Sequence, residues 1–154
     1  MTGMRDPAQA LENFPSNTVA FAEFAEALAE RMLRSNDAGS CFAAIVAAAH
    51  LPDWYFNELG LKFGDKQKKL LSEEFPQWET LRQLSNGAKH SRKQNDQMHP
   101  IDLKMRVVRW EDMDAWDHLG STRPYWFFVE NGRERSVHTL CRNFIKEFRK
   151  SRDL

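Results

Sequence analysis

The sequence has few of the features that mark a secreted or membrane-embedded protein. It contains only 2 cysteines among 154 residues, and Cys41 and Cys141 form no C-x-x-C pair. A disulfide framework and a cysteine-based zinc site are therefore unsupported. The longest unbroken apolar run, Cys41 to Ala49, is far shorter than the roughly 20 residues that cross a bilayer. The charged N-terminus lacks the apolar stretch of a secretory signal, so we expect a cytoplasmic protein with no membrane partner.

The sequence also lacks net charge, because 22 basic residues balance 22 acidic ones. This balance argues against a nucleic-acid binder that is electropositive overall. The charges are unevenly spread, however: residues 1–60 contain 3 basic and 8 acidic side chains, which leaves 19 and 14 for residues 61–154. The second half could meet an anionic partner, or the two halves could meet in an electrostatic dimer contact. Random surface variation gives the same counts.

The remaining composition indicates one folded domain over residues 1–154. With 42% hydrophobic and 12% aromatic residues, the chain can bury one core. Residues 1–15 are interpreted as a loose N-terminal arm and residues 16–95 as a helical core. Apolar residues recur with helical spacing from Thr18 to Arg34. The run from Cys41 to Ala49 is apolar on every face, which favours a central helix.

Two more helices are expected within this core. The sequence does not determine where the second helix ends, because Pro52 lies within its pattern. Proline removes a backbone donor and clashes with the preceding turn, so the helix either kinks there or ends there. A short basic helix follows Asp65, and a fourth helix runs from Pro76 to about Ser91. The apolar stripe of this fourth helix consists of Trp78, Leu81, Leu84 and Ala88.

The pattern changes from helical to alternating over residues 101–137. Apolar and polar side chains alternate around residues 101–107, as in a half-buried strand. Two further strand-like runs flank Asn131-Gly132, the strongest short signal for a hairpin turn. Residues 138–151 return to helical spacing. We therefore predict a mainly α protein: a helical bundle of four to five helices, with a small antiparallel β-hairpin or three-stranded sheet inserted before the C-terminal helix.

Strong catalytic and metal-binding motifs are absent. There is no P-loop, G-x-G-x-x-G, G-x-S-x-G or H-E-x-x-H, so neither a metal nor a cofactor is predicted. Two weaker segments remain. In the first, His50 shares a predicted buried stripe with Phe42 and Val46, and Asp53 could orient its imidazole, as in many general bases. A core histidine that is satisfied by a hydrogen bond near a kink explains the same pattern.

The second segment is a polar column on the fourth helix. Arg82, Asn86 and His90 are spaced by four residues, and Lys89 lies beside them. Such a face suits a phosphate or a carboxylate. A solvated basic helix end has the same composition, because cations favour the negative end of the helix dipole. Gly87 costs about 1 kcal/mol relative to alanine, which suggests that a neighbouring helix or a ligand approaches the backbone there.

The two segments, HLPDW and LSNGAKH, resemble a recurring pair in a family of small bacterial helical proteins. Those proteins have H-x-x-D-W followed by N-G-x-K-H. The resemblance covers residues 16–91 and implies a helical core but no activity. It also implies that one set of residues belongs together: His50, Asp53, Trp54, Asn86, Lys89 and His90.

The helical core resembles HEPN domains more distantly. HEPN domains are helical-bundle ribonucleases or nucleotide binders that act as dimers, and their motif is an arginine, a polar residue, a short spacer and a histidine. In this chain Asn86 precedes His90 by four residues, and Ser85 stands where the arginine of the family would be. Arg82 lies further upstream. The resemblance implies His90 as acid and base, and Arg82 as the residue that stabilises charge on phosphorus.

Three functional hypotheses follow. The leading hypothesis is a binding module in which the polar face of the fourth helix holds an anionic group of a nucleotide, a nucleic acid or an acidic partner. The alternative is a metal-independent ribonuclease of HEPN type, such as a toxin or defence component, that acts as a homodimer. The third hypothesis is a structural partner subunit that uses its tryptophan-rich sheet as the interface.

Overall fold

The computed structural model describes residues 7–35, 37–89, 102–106 and 125–154. These ranges contain six helices and three strands: α1 (Pro7–Ala10), α2 (Thr18–Ser35), α3 (Ala38–Glu58), α4 (Asp65–Glu74), α5 (Pro76–Lys89), β1 (Asp102–Arg106), β2 (Tyr125–Glu130), β3 (Arg133–Ser136) and α6 (Val137–Arg152). The prediction of a mainly helical fold with a small antiparallel sheet before the last helix is confirmed. None of the helices in these ranges has the length and apolarity that a bilayer crossing requires.

The helix α3 occupies the centre of the bundle, because it contacts α2, α5 and α6. Small side chains allow two helix axes to approach closely, and both α2 and α3 contain alanines that are fully buried: Ala22, Ala25, Ala44 and Ala48. The predicted loose arm contains one helical turn, α1, which contacts α2. The fourth predicted helix is therefore α5.

The helix α3 continues through Pro52, and Pro52 itself is buried. The structure thus answers the question that the sequence left open, because the helix does not end at the proline. The prediction of a buried stripe through Phe42, Val46 and His50 is wrong. Phe42 is 42% exposed, and Val46 and His50 are only half-buried. Because residues 41–49 of α3 are apolar on every face, other positions such as Ile45 fill the core instead.

Trp78 fixes the position of α5 against α3. Its indole N–H donates a hydrogen bond to the backbone carbonyl of Ala49 at 2.9 Å, and the side chain is buried. Just before α5, the ring of Phe75 contacts Phe148, and so does the ring of Tyr55 near the end of α3. Through Phe148, the residue just before α5 (Phe75) lies near Tyr55 of α3, whereas Trp78, three residues later, contacts Ala49, six residues earlier on α3. The two helices are therefore antiparallel.

Acidic residues from the first part of the chain pair with residues from its last part. Arg149 of α6 donates to a carboxylate oxygen of Glu26 on α2 at 3.0 Å. Nε2 of His138 on α6 lies 3.3 Å from Oε1 of Glu30 on α2. These pairs join helices that are far apart in sequence. Part of the uneven charge distribution therefore serves an intramolecular contact.

The three strands form a sheet of order β1-β2-β3, and each neighbouring pair is antiparallel. The predicted turn is confirmed, since Asn131 and Gly132 have positive φ angles of 53° and 73°. Phe128 of β2 is fully buried and attaches the sheet to the core. Ser136 ends β3 and caps α6, because its hydroxyl accepts a hydrogen bond from the backbone N–H of Thr139 at 3.2 Å. The buried face of α6 contains the residues that the sequence predicts: Leu140, Phe144, Ile145 and Phe148.

Replacing Trp78 with phenylalanine removes the hydrogen bond to Ala49 and keeps an aromatic ring. We expect the free energy of unfolding to fall by about 1 to 3 kcal/mol, because a buried hydrogen bond and part of a buried ring are lost. Urea unfolding followed by circular dichroism measures the change. Trp54→Phe is the matched control, since Trp54 is only partly buried and contacts Phe21 through its ring. Equal losses in the two variants would contradict the role assigned to Trp78.

Candidate functional site

His50 and Asp53 form the pair that the first segment predicts. Nδ1 of His50 lies 3.1 Å from Oδ2 of Asp53. This contact depends on the continuity of α3 through Pro52, because residues three apart share a face only while the helix persists. The two side chains are 42% and 47% exposed. The imidazole is therefore open to solvent, where an aspartate-oriented histidine can exchange a proton with a ligand.

Trp54 contributes to packing and not to this pair. Its ring stacks on Phe21 of α2, with centroids 4.7 Å apart and an interplanar angle of 14°. The side chain is partly buried against the core. Trp54 therefore attaches α3 to α2, on a different side of the helix from Asp53, although the two residues are adjacent in sequence.

Arg82 is held in one orientation by Glu79, which lies one turn earlier on α5. Nε and Nη2 of Arg82 donate to the two carboxylate oxygens at 3.0 and 2.7 Å. Ser72 and Gln83 donate to the same carboxylate at 3.0 and 3.1 Å. The hydrogen bond from Arg82 lowers the pKa of Glu79 below its ordinary value of 4.5, so the carboxylate stays charged at neutral pH. Nη1 of Arg82 has no hydrogen-bond partner within the ranges that the structure describes.

The polar side of α5 and the His50 pair open onto the same face of the molecule. Trp78 marks the flank of α5 that faces α3, and Arg82 and Asn86 follow about 40° and 80° further around the helix. Ala49 marks the flank of α3 that faces α5, and His50 follows about 100° further in the same rotational sense. In an antiparallel pair of helices, rotation in the same sense leads to the same side. We call this surface the α3/α5 face; its members are Phe42, Val46, His50, Asp53, Arg82 and Asn86.

The two predicted segments lie at different heights on the α3/α5 face. Asn86 is about 12 Å beyond Trp78 along α5, whereas His50 directly follows Ala49. The residue of α3 that lies level with Asn86 is Phe42, about 10 Å back along α3 from Ala49. By this helix geometry His50, Asp53, Arg82 and Asn86 share one surface, on which His50 and Asn86 are about two helical turns apart.

The end of the polar column extends past the described residues. Lys89 is the last residue of α5, three positions beyond Asn86. His90 lies outside the described residues, so its place in the site stays a prediction. A Cβ atom added to Gly87 would meet no atom of the described residues within 4 Å. The expectation that a neighbouring helix approaches this glycine closely is therefore wrong for the described helices, and the approach of a ligand stays a prediction.

Neither cysteine can act as a nucleophile at this site. Both thiols are buried in the core. Burial raises the pKa of Cys41 to about 12 and also raises the pKa of Cys141. The thiolate is the reactive form of cysteine, so both side chains are inert near neutral pH. Within residues 7–35, 37–89, 102–106 and 125–154, no three histidine, cysteine or acidic side chains are grouped to hold a metal ion.

Neither models of protein families, nor curated proteins, nor solved structures match this chain. The resemblances to the bacterial helical proteins and to HEPN domains therefore stay predictions from their motifs. The residue that sequence reasoning missed is Glu79, the partner of Arg82. Opposite charges three residues apart on a helix were the signal that could have found it.

The ion pair of Glu79 should make stability depend on pH in one direction. Because folding lowers the pKa of Glu79, the pair stabilises the protein above the ordinary value of 4.5, and this stabilisation is lost as the pH falls through the lowered value. Glu79→Gln should reduce the free energy of unfolding at neutral pH by about 0.5 to 1 kcal/mol, and by less at about pH 3. The effect is modest because the side chains of Arg82 and Glu79 are 43% and 33% exposed.

Urea unfolding at the two pH values measures this difference. Glu73→Gln on α4 is the matched control, since it removes the same charge from an exposed position. Glu73→Gln should change stability little at either pH. A Glu79→Gln effect that does not shrink in acid would contradict the assigned ion pair.

Proposed function

We propose that the protein binds a phosphate-bearing ligand, a nucleotide or a nucleic acid, through the α3/α5 face. The observation that carries the proposal is the guanidinium of Arg82, which Glu79 holds in one orientation on the polar side of α5. Glu79 occupies Nε and Nη2, and the remaining Nη1 group can donate to a phosphate oxygen. A side chain that is already ordered loses less conformational entropy when its ligand binds. Both cysteines are free, as is usual in cytoplasmic proteins, and nucleotides and nucleic acids are present in that compartment.

The charge balance of the face favours modest, salt-sensitive affinity. The carboxylate of Glu79 offsets the positive charge of Arg82, and Asp53 adds a negative charge to the face. In this proposal Lys89, at the end of α5, supplies the second positive charge. The amide of Asn86 adds hydrogen-bond donors without charge. Exposed charges are screened over about 8 Å at physiological ionic strength. Binding should therefore weaken as salt is added, in proportion to the phosphates that are contacted.

Binding of ATP and of a labelled single-stranded RNA at low and at physiological salt tests this function. Lys89→Ala should weaken binding about tenfold at low salt, as expected for the loss of one charged contact. The double variant Glu79→Gln/Arg82→Gln should weaken it similarly, and it keeps a neutral hydrogen-bonding pair so that the fold is preserved. Lys66→Ala on α4 removes an exposed positive charge elsewhere and is the matched control.

Two outcomes would change this conclusion. Equal affinity in the wild type, both variants and the Lys66→Ala control would contradict a phosphate contact at this face. Cleavage of RNA in the presence of EDTA that His90→Ala abolishes would instead support the HEPN-type ribonuclease. In that mechanism a donor must stabilise charge on the phosphorus oxygens, and the Nη1 group of Arg82, which Glu79 does not bind, would be that donor.

A further inference from the structure

An exposed aromatic ring lies on the α3/α5 face, next to its polar residues. Phe42 is 42% exposed, although most of the apolar run that follows it is buried. The antiparallel register that Trp78 and Ala49 set puts Phe42 level with Asn86. The axes of packed helices lie about 8 to 10 Å apart. On this register the Phe42 ring and the Asn86 amide project from the two packed helices at about the same height.

This combination of side chains has the chemistry that recognises a nucleobase. Stacking on an aromatic ring works for every base, because every base has a π-face. The amide of Asn86 carries both a donor and an acceptor, and an asparagine amide matches the edge of adenine in particular. Arg82 lies one turn, about 6 Å, from Asn86 along α5. That separation is one that the ribose of a single nucleotide can span.

We propose that the base of the bound nucleotide stacks on Phe42, with its edge against Asn86 and its phosphate at Arg82. The inference rests on the proposed function and names the part of the ligand that the phosphate contact leaves open. It separates nucleotides from ligands that carry phosphate alone. A free nucleotide and a single strand present the same base, so the test includes both.

The experiment compares ATP, a short oligoadenylate and inorganic tripolyphosphate as probes, with calorimetry as the readout. The wild type should bind ATP about tenfold more tightly than tripolyphosphate, because stacking adds to similar charge. Phe42→Leu should remove this difference and leave the affinity for tripolyphosphate unchanged. The substitution keeps an apolar side chain at an exposed position, and circular dichroism verifies the fold. Phe14→Leu is the matched control, since Phe14 is 96% exposed and lies outside the α3/α5 face.

The outcomes separate this inference from the function on which it rests. Phe42→Leu protein that binds ATP and oligoadenylate as tightly as the wild type overturns base stacking, and the phosphate site survives if Glu79→Gln/Arg82→Gln still weakens all three probes. Failure of the wild type to bind any of the three overturns both. If stacking is present, tighter binding of oligoadenylate than of ATP assigns the site to a strand, and equal binding assigns it to a free nucleotide.

Discussion

The hydrogen bond between the Trp78 indole and the Ala49 carbonyl sets the height at which α5 lies against α3. Each residue of an α-helix advances about 1.5 Å and turns about 100°. A slip of one residue would therefore move every side chain of α5 to another part of the surface. The position of Arg82 relative to α3, the level of Asn86 beside Phe42, and the face that they share all depend on this one contact.

The last helix uses two of its five basic side chains to hold the bundle together. Arg152 donates to both carboxylate oxygens of Glu74 at 2.9 and 2.7 Å. Its guanidinium also lies over three aromatic rings of the core: Tyr55, Phe75 and Phe148. Together with the pair of Arg149 and Glu26, these contacts use two basic side chains of α6 for structure, whereas Arg142, Lys146 and Lys150 stay exposed.

The sequence was sufficient for the helices and the hairpin, because burial of one face leaves a repeating apolar pattern and a two-residue turn with positive φ has its own residue preference. It was not sufficient for Phe42, since residues 41–49 of α3 contain no charged or strongly polar side chain to mark which side meets solvent. The pairing of Arg82 with Glu79 was readable from their spacing. The level of Asn86 beside α3 was not, because an indole that binds a backbone carbonyl has no sequence signature.

The last strand of the sheet leads directly into α6. Ser136 is both the last residue of β3 and the cap of α6, so no linker separates the strand from the helix. The hairpin is thus joined directly to α6, which Arg149 in turn pairs with Glu26 of α2. A direct junction of strand and helix favours opening of the hairpin and α6 as one cooperative unit over independent fraying of the two parts.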